Sequence, residues 1–224
     1  MVFPAVITWG YFVLAARYST TVQQTIYLIV KVIQFGFPVV WTGLVLRESL
    51  RTSRPTASGL GIGIAFGAGI SCVGVAIFSW FLRDSPVFAS ATTLIQQKVA
   101  AFGIDSAVKY FLLAGFYSLV HSLLEEYYWR WFVFRQLEQM IPIWPAIIVS
   151  AVGFALHHIV VLAIYFRSAP CYAAFCAIGV ALGGGFWAWL YHRDDSIFET
   201  WPSHALVDLG LFMGIGYPLL RQLF

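Results

Sequence analysis

Apolar residues fill this chain in long blocks, and short polar stretches rich in Ser, Pro and Arg separate them. A membrane-spanning helix needs about 20 consecutive apolar residues. On that ruler the pattern predicts about seven helices. The first covers about 3–17, the second about 24–47 and the third about 58–82. From about 85 to 104 the chain is more polar (SPVFASATTLIQQKVAAFG), which predicts a loop with an interfacial or short helix. A fourth helix, longer than one span, runs from about 106 to the late 130s. The fifth covers about 143–165, the sixth about 171–191 and the seventh about 202–222.

Prolines and glycines punctuate these blocks. Pro38 lies inside the second helix and predicts a kink, because proline lacks a backbone donor and clashes with the preceding turn. Pro142 and Pro145 flank the start of the fifth helix, Pro170 precedes the sixth, and Pro202 is expected in the first turn of the seventh, where proline is tolerated. Gly59, Gly63 and Gly67 recur every fourth residue on the third helix. Such a flat stripe lets helices approach closely in lipid.

Composition turns the pattern into a class. Of 224 residues, 60% are hydrophobic and only 10% charged, whereas soluble domains carry about 25% charged residues. The fold class is therefore an all-α polytopic membrane protein, a bundle of about seven transmembrane helices forming one integral domain over 1–224, and localisation is to a membrane. The apolar run begins almost at once and lacks a basic leader, so an uncleaved first span is expected. The net charge of +3 is small and its basic residues are scattered, which excludes a nucleic-acid stripe. Arg47, Arg51 and Arg54 cluster in one inter-helix segment and suggest a cytoplasmic loop. Cys72, Cys171 and Cys176 lie in apolar segments with no CxxC, so they read as small buried hydrophobes.

Against this background a few polar residues stand out. With the inter-helix charges set aside, Glu125, Glu126, Arg130, His157, His158, His204 and Asp208 remain, on three separate predicted helices. Ionisable groups at membrane depth are costly and usually face a bundle interior, where they are functional. Residues four apart share a helix face, whereas neighbours point about 100° apart. Glu126 and Arg130 are thus expected to pair. Glu125 is left on another face as the free carboxylate, with His121 one turn before it. On the fifth helix Phe154 and His158 share a face, and His157 projects elsewhere. On the seventh, His204 and Asp208 share a face. The site is expected between these three core helices. Against it stand blander readings: acids snorkelling beside an aromatic belt of Tyr127, Tyr128 and Trp129, a satisfied core histidine, and a local His–Asp hydrogen bond.

Taken in order, EEYYWR, FALHH and HALVD resemble the motifs EExxxR, FxxxH and HxxxN or HxxxD of the CPBP family, also called the Abi family. That family holds the CAAX prenyl endopeptidases of the Ras-converting type and many bacterial membrane proteins. The matching core runs from about 105 to 220, and the helices of 1–104 add only general hydrophobicity. The resemblance implies an intramembrane endopeptidase that hydrolyses a peptide bond of a membrane-associated, possibly lipidated, protein or peptide. By position, Glu125 resembles the glutamate that activates water, and Glu126 and Arg130 its supporting acid and arginine. His158 matches the histidine that assists in activating or holding that water. His204 and Asp208 match the pair proposed to stabilise the oxyanion. His157 does not fit the spacing and is read as support or packing.

A glutamate desolvated in a bundle has its pKa raised toward the range of a general base. Asp208 stands where an Asn would supply an amide donor. Either it is protonated in an apolar site or it orients His204 and leaves the imidazole as donor. The mechanism implied by the resemblance needs no cofactor. A zinc peptidase with Glu125, His158 and His204 as ligands is an alternative, although no HExxH is present. A non-catalytic scaffold or regulator of partner membrane proteins is another. An ion transporter ranks below both, because no internal repeat accompanies the polar residues. The expected partners are membrane lipid and a peptide substrate.

Overall fold

The computed structural model describes residues 2–14, 17–49 and 52–224. Eight helices follow one another through the described residues, with no strand among them. They are α1 (Phe3–Leu14), α2 (Thr21–Leu46), α3 (Ala57–Leu82), α4 (Pro86–Ala101), α5 (Ala107–Met140), α6 (Ile143–Tyr165), α7 (Pro170–Asp194) and α8 (Ile197–Leu223). Six of them, α2, α3 and α5 to α8, are long and apolar enough to cross a membrane; α1 is apolar but shorter. The chain is an integral, multi-pass membrane protein. Arg51 of the basic cluster, and Ala15 and Ala16 of the expected first helix, lie outside the described residues.

Burial runs against the soluble pattern. Leu44, Trp80, Phe81, Leu112 and Leu182 are exposed, while Glu125, Glu126, Arg130, Glu199 and His204 are buried. Lipid does not drive apolar groups together, so polar groups are what the helices withdraw from their surroundings.

Two elements differ from the sequence expectation. The polar stretch after α3 is a 16-residue helix rather than mainly loop. The Ser85 hydroxyl accepts from the Phe88 amide at 3.3 Å and Pro86 occupies the first helical position, two strong start signals. Helix α8 starts at Ile197, so Pro202 lies inside it and not in its first turn. An interior proline frees a backbone carbonyl, but neighbouring helices re-satisfy such groups in membrane proteins. Pro38 likewise lies inside α2, and three residues later, from Trp41, that helix widens to i→i+5 turns.

Contacts divide the chain into two compact units, each discontinuous: 1–53 with 127–195, and 54–126 with 196–224. Helix α5 contributes to both. In the first unit α6 packs along α7. Gly184 makes that approach possible, since a Cβ there would meet the Phe154 ring at 3.0 Å and the Ala151 Cα at 3.5 Å. Helix α2 is tied in by the Tyr127 hydroxyl, which donates to the Phe35 carbonyl at 3.3 Å.

In the second unit α3 and α8 run parallel, because contacts advance together along both. Gly59 faces Glu199, Gly67 faces Ser203, the Ser71 hydroxyl donates to the Leu206 carbonyl at 2.7 Å, and Gly214 faces Val75. Gly59, Gly63 and Gly67 are all buried, and the stripe seen in the sequence is the α3 half of this seam. A Cβ on Gly67 would collide with the backbone of Ser203, which cannot swing aside. Gly67→Ala is therefore expected to destabilise by about 1–3 kcal/mol, seen as less folded protein recovered from membranes. Wild-type recovery would show that the two backbones do not meet there.

Candidate active site

Helix α5 is not uniform. It runs as α-helix over Ala107–Gly115, widens to i→i+5 turns over Phe116–His121, and returns to α-helix over Ser122–Glu126. It then widens again over Tyr127–Phe134. Such wide turns are rare and cluster at functional sites. Side chains bond carbonyls in the first widened segment. The Ser122 hydroxyl donates to the Ser118 carbonyl at 2.6 Å, and the Trp201 indole donates to the Leu119 carbonyl at 2.9 Å. The second bond ties α8 to the widened segment just before the acids.

His121, Glu125 and Glu126 of α5 come together with His204 and Asp208 of α8, all within the unit of 54–126 and 196–224. His204 is at the centre. Its Nδ1 lies 2.8 Å from Glu126 Oε1, and its Nε2 lies 3.7 Å from Glu125 Oε2 and 3.8 Å from Asp208 Oδ2. A carboxylate only accepts, so Nδ1–H donates to Glu126 and Nε2 is turned toward Glu125 and Asp208. Glu125 has a second neighbour in His121, whose Nε2 is 3.3 Å from Oε1. Glu126 is fully buried, Glu125 and His204 are each 4% exposed, and His121 and Asp208 are partly exposed. The cluster is thus a pair of imidazoles among three carboxylates, closed to lipid on the Glu126 side and more open toward His121 and Asp208.

The other expected site residues belong to the unit of 1–53 and 127–195. Arg130 is 1% exposed. Its guanidinium donates to the Gly184 carbonyl at 3.2 Å and lies over the rings of Phe154 (4.6 Å) and Trp187 (5.2 Å). His158 Nδ1 is 3.1 Å from the Phe154 carbonyl, one turn back on α6. His157 stacks on Trp129 with ring planes 9° apart. Of the three zinc-type ligands named above, Glu125 and His204 are in the α5–α8 cluster and His158 is in this unit.

One buried acid escaped the sequence reading. Glu199 falls among the inter-helix charges on the sequence pattern, yet it is fully buried in the first turn of α8. The signal was present: Ser196 followed three residues later by Glu199 is the capping-box pattern of a helix start. Pro202 drew the expected start past it.

Residues 107–210 match the model of a family described as type II CAAX prenyl endopeptidase Rce1-like. No curated protein and no solved structure matches the chain. The matched segment takes in both motif-bearing parts of α5, all of α6 and α7, and α8 through His204 and Asp208. Over residues 107–210 the chain is thus similar to the Rce1-like type II CAAX prenyl endopeptidases, consistent with the CPBP grouping that EEYYWR, FALHH and HALVD resemble.

Proposed function

We propose that this protein is an intramembrane endopeptidase in which Glu125 activates water to hydrolyse a peptide bond of a membrane-associated protein or peptide. The observation that carries this reading is the placement of His204, held at Nδ1 by Glu126 while Nε2 turns to Glu125.

In this reading Glu125 takes a proton from water as the water oxygen bonds to the scissile carbonyl carbon. The carbonyl oxygen becomes an oxyanion. His204 as imidazolium has one proton held by Glu126 and a second, on Nε2, available to that oxyanion. Asp208, 3.8 Å from Nε2, steadies the imidazolium without occupying the bond meant for the oxyanion. Collapse breaks the C–N bond, and Glu125 returns its proton to the leaving amine. His121 keeps the Glu125 carboxylate oriented through the 3.3 Å contact. The family match supports a peptidase in general terms, and the resemblance adds a water-holding role for His158.

The test compares the terminal peptides of membrane proteins from cells expressing wild type, Glu125→Ala or His204→Ala at matched levels. New termini present only with wild type are expected, and they would name the substrate. His158→Ala should lose the same termini at unchanged abundance. Identical termini in all four strains would overturn the reading and favour a scaffold or regulator.

A further inference from the structure

Helix α3 begins with half of a capping box. Thr56 is its N-cap, and the Thr56 hydroxyl accepts from the Gly59 amide at 2.9 Å. In a complete box the residue at the position of Gly59 is Glu or Gln, and it reaches back to the N-cap amide. Here that residue is glycine, and the carboxylate comes from another helix: Glu199 of α8 accepts from the Thr56 amide. The glycine is needed for this. A Cβ on Gly59 would collide with the Glu199 carboxyl group. Both residues lie in the unit of 54–126 and 196–224.

The exchange joins two matched features at one point. The first turn of a helix has unsatisfied amides and a positive dipole end, both of which favour a carboxylate. Glu199 is fully buried, and so are Thr200 and Ser203 beside it. Below this point the seam continues through Gly67 against Ser203 and Ser71 against Leu206. That parallel seam has a charged lock at its head, and below it mostly small residues with one neutral hydrogen bond, from Ser71 to the Leu206 carbonyl. Small residues permit close approach but allow sliding, because glycine has no side chain to mark a register. The lock removes that freedom. His204 follows Glu199 by five residues, about 7.5 Å along the axis, so the height and rotation of α8 at Glu199 dictate where the imidazole falls.

We infer that Glu199 is a positioning residue: it completes the capping box of α3 from α8, and so sets the register of α8 at which His204 meets Glu125 and Glu126. This rests on the proposed role of that cluster. No contact of Glu199 with substrate is involved.

Two readouts test it. The first is turnover of a synthetic peptide spanning a cleavage site found by the terminal-peptide comparison, per molecule of purified, monodisperse protein. Glu199→Ala is expected to lower kcat by about 10–100-fold, the loss typical of a misplacement near 1 Å, with KM little changed. Gly59→Ala should do the same by displacing the Glu199 carboxylate. Glu199→Gln keeps an acceptor oxygen for the Thr56 amide and should recover most of the activity. A merely structural role would lower yield and leave turnover per folded molecule at the wild-type value, which would overturn the proposal.

The second readout does not depend on catalysis. A Cβ built on Gly214 lies 3.3 Å from the Val75 Cβ, close to the spacing of a disulfide. Val75→Cys with Gly214→Cys, in a chain whose Cys72 is replaced by Ser, should oxidise readily in membranes. Adding Glu199→Ala should cut that yield several-fold, and Glu199→Gln should not. Unchanged crosslinking would overturn the proposal even if the enzyme reading stands. Altered crosslinking without any proteolysis by wild type would keep the register role and reject the enzyme reading.

Discussion

Glu125→Gln is expected to lower turnover by roughly 10²–10⁴-fold, the range contributed by a general base, at unchanged abundance. Gln preserves the size of the side chain and an oxygen facing His121, so the helix keeps its contact at this position. What it lacks is the ability to take a proton from water. Glu126→Gln is expected to cost less, because an amide oxygen still accepts from His204 Nδ1–H. The measurement is single-turnover cleavage by purified protein at matched concentration. A Glu125→Gln protein working within a few-fold of wild type would remove Glu125 from the reaction. Equal losses at Glu125 and Glu126 would mean that the two acids act as one unit.

Arg130→Ala is expected to act on the fold instead. The buried guanidinium lies over two aromatic rings and donates to the Gly184 carbonyl. A desolvated cation–π contact is worth about 2 kcal/mol, and a buried hydrogen bond from a charged donor contributes about 1.5–3 kcal/mol. A loss of about 3 kcal/mol or more follows from these two terms. Abundance and the midpoint of thermal unfolding should both fall. Arg130→Lys should recover only part of this, because an ammonium lacks the planar fork that both stacks and donates. Wild-type abundance and midpoint in Arg130→Ala would show that Phe154, Trp187 and Gly184 do not depend on it. The two variants therefore separate chemistry from stability within six positions of one helix.

Much of this protein is legible along the chain. Helices are local, since their hydrogen bonds close within a turn, and apolar blocks about one span long leave few alternatives in a membrane. The all-α class and six of the about seven expected spans follow from that, the first being a shorter apolar helix, and so does the search for function among the rare intramembrane charges. Helical spacing also placed His121 one turn from Glu125, and His204 one turn from Asp208, pairs 3.3 and 3.8 Å apart in the structure. The order of EEYYWR, FALHH and HALVD pointed to the family.

Partner choice was not legible. Glu126 bonds His204, 78 positions away, and Arg130 is embraced by Phe154, Gly184 and Trp187 of α6 and α7. Glu199 shows the same limit more sharply: its own segment marks a helix start, but the amide it serves belongs to a helix that begins 143 residues earlier. In water an apolar face would have told each helix which way to turn. In lipid both faces are apolar, so orientation rests on where small residues let backbones meet and where buried polar groups find each other. Composition and periodicity determined that there are helices in a membrane and which of them carry the intramembrane acids and imidazoles; tertiary packing decided which polar groups meet between helices, because those bonds join residues that no local rule connects.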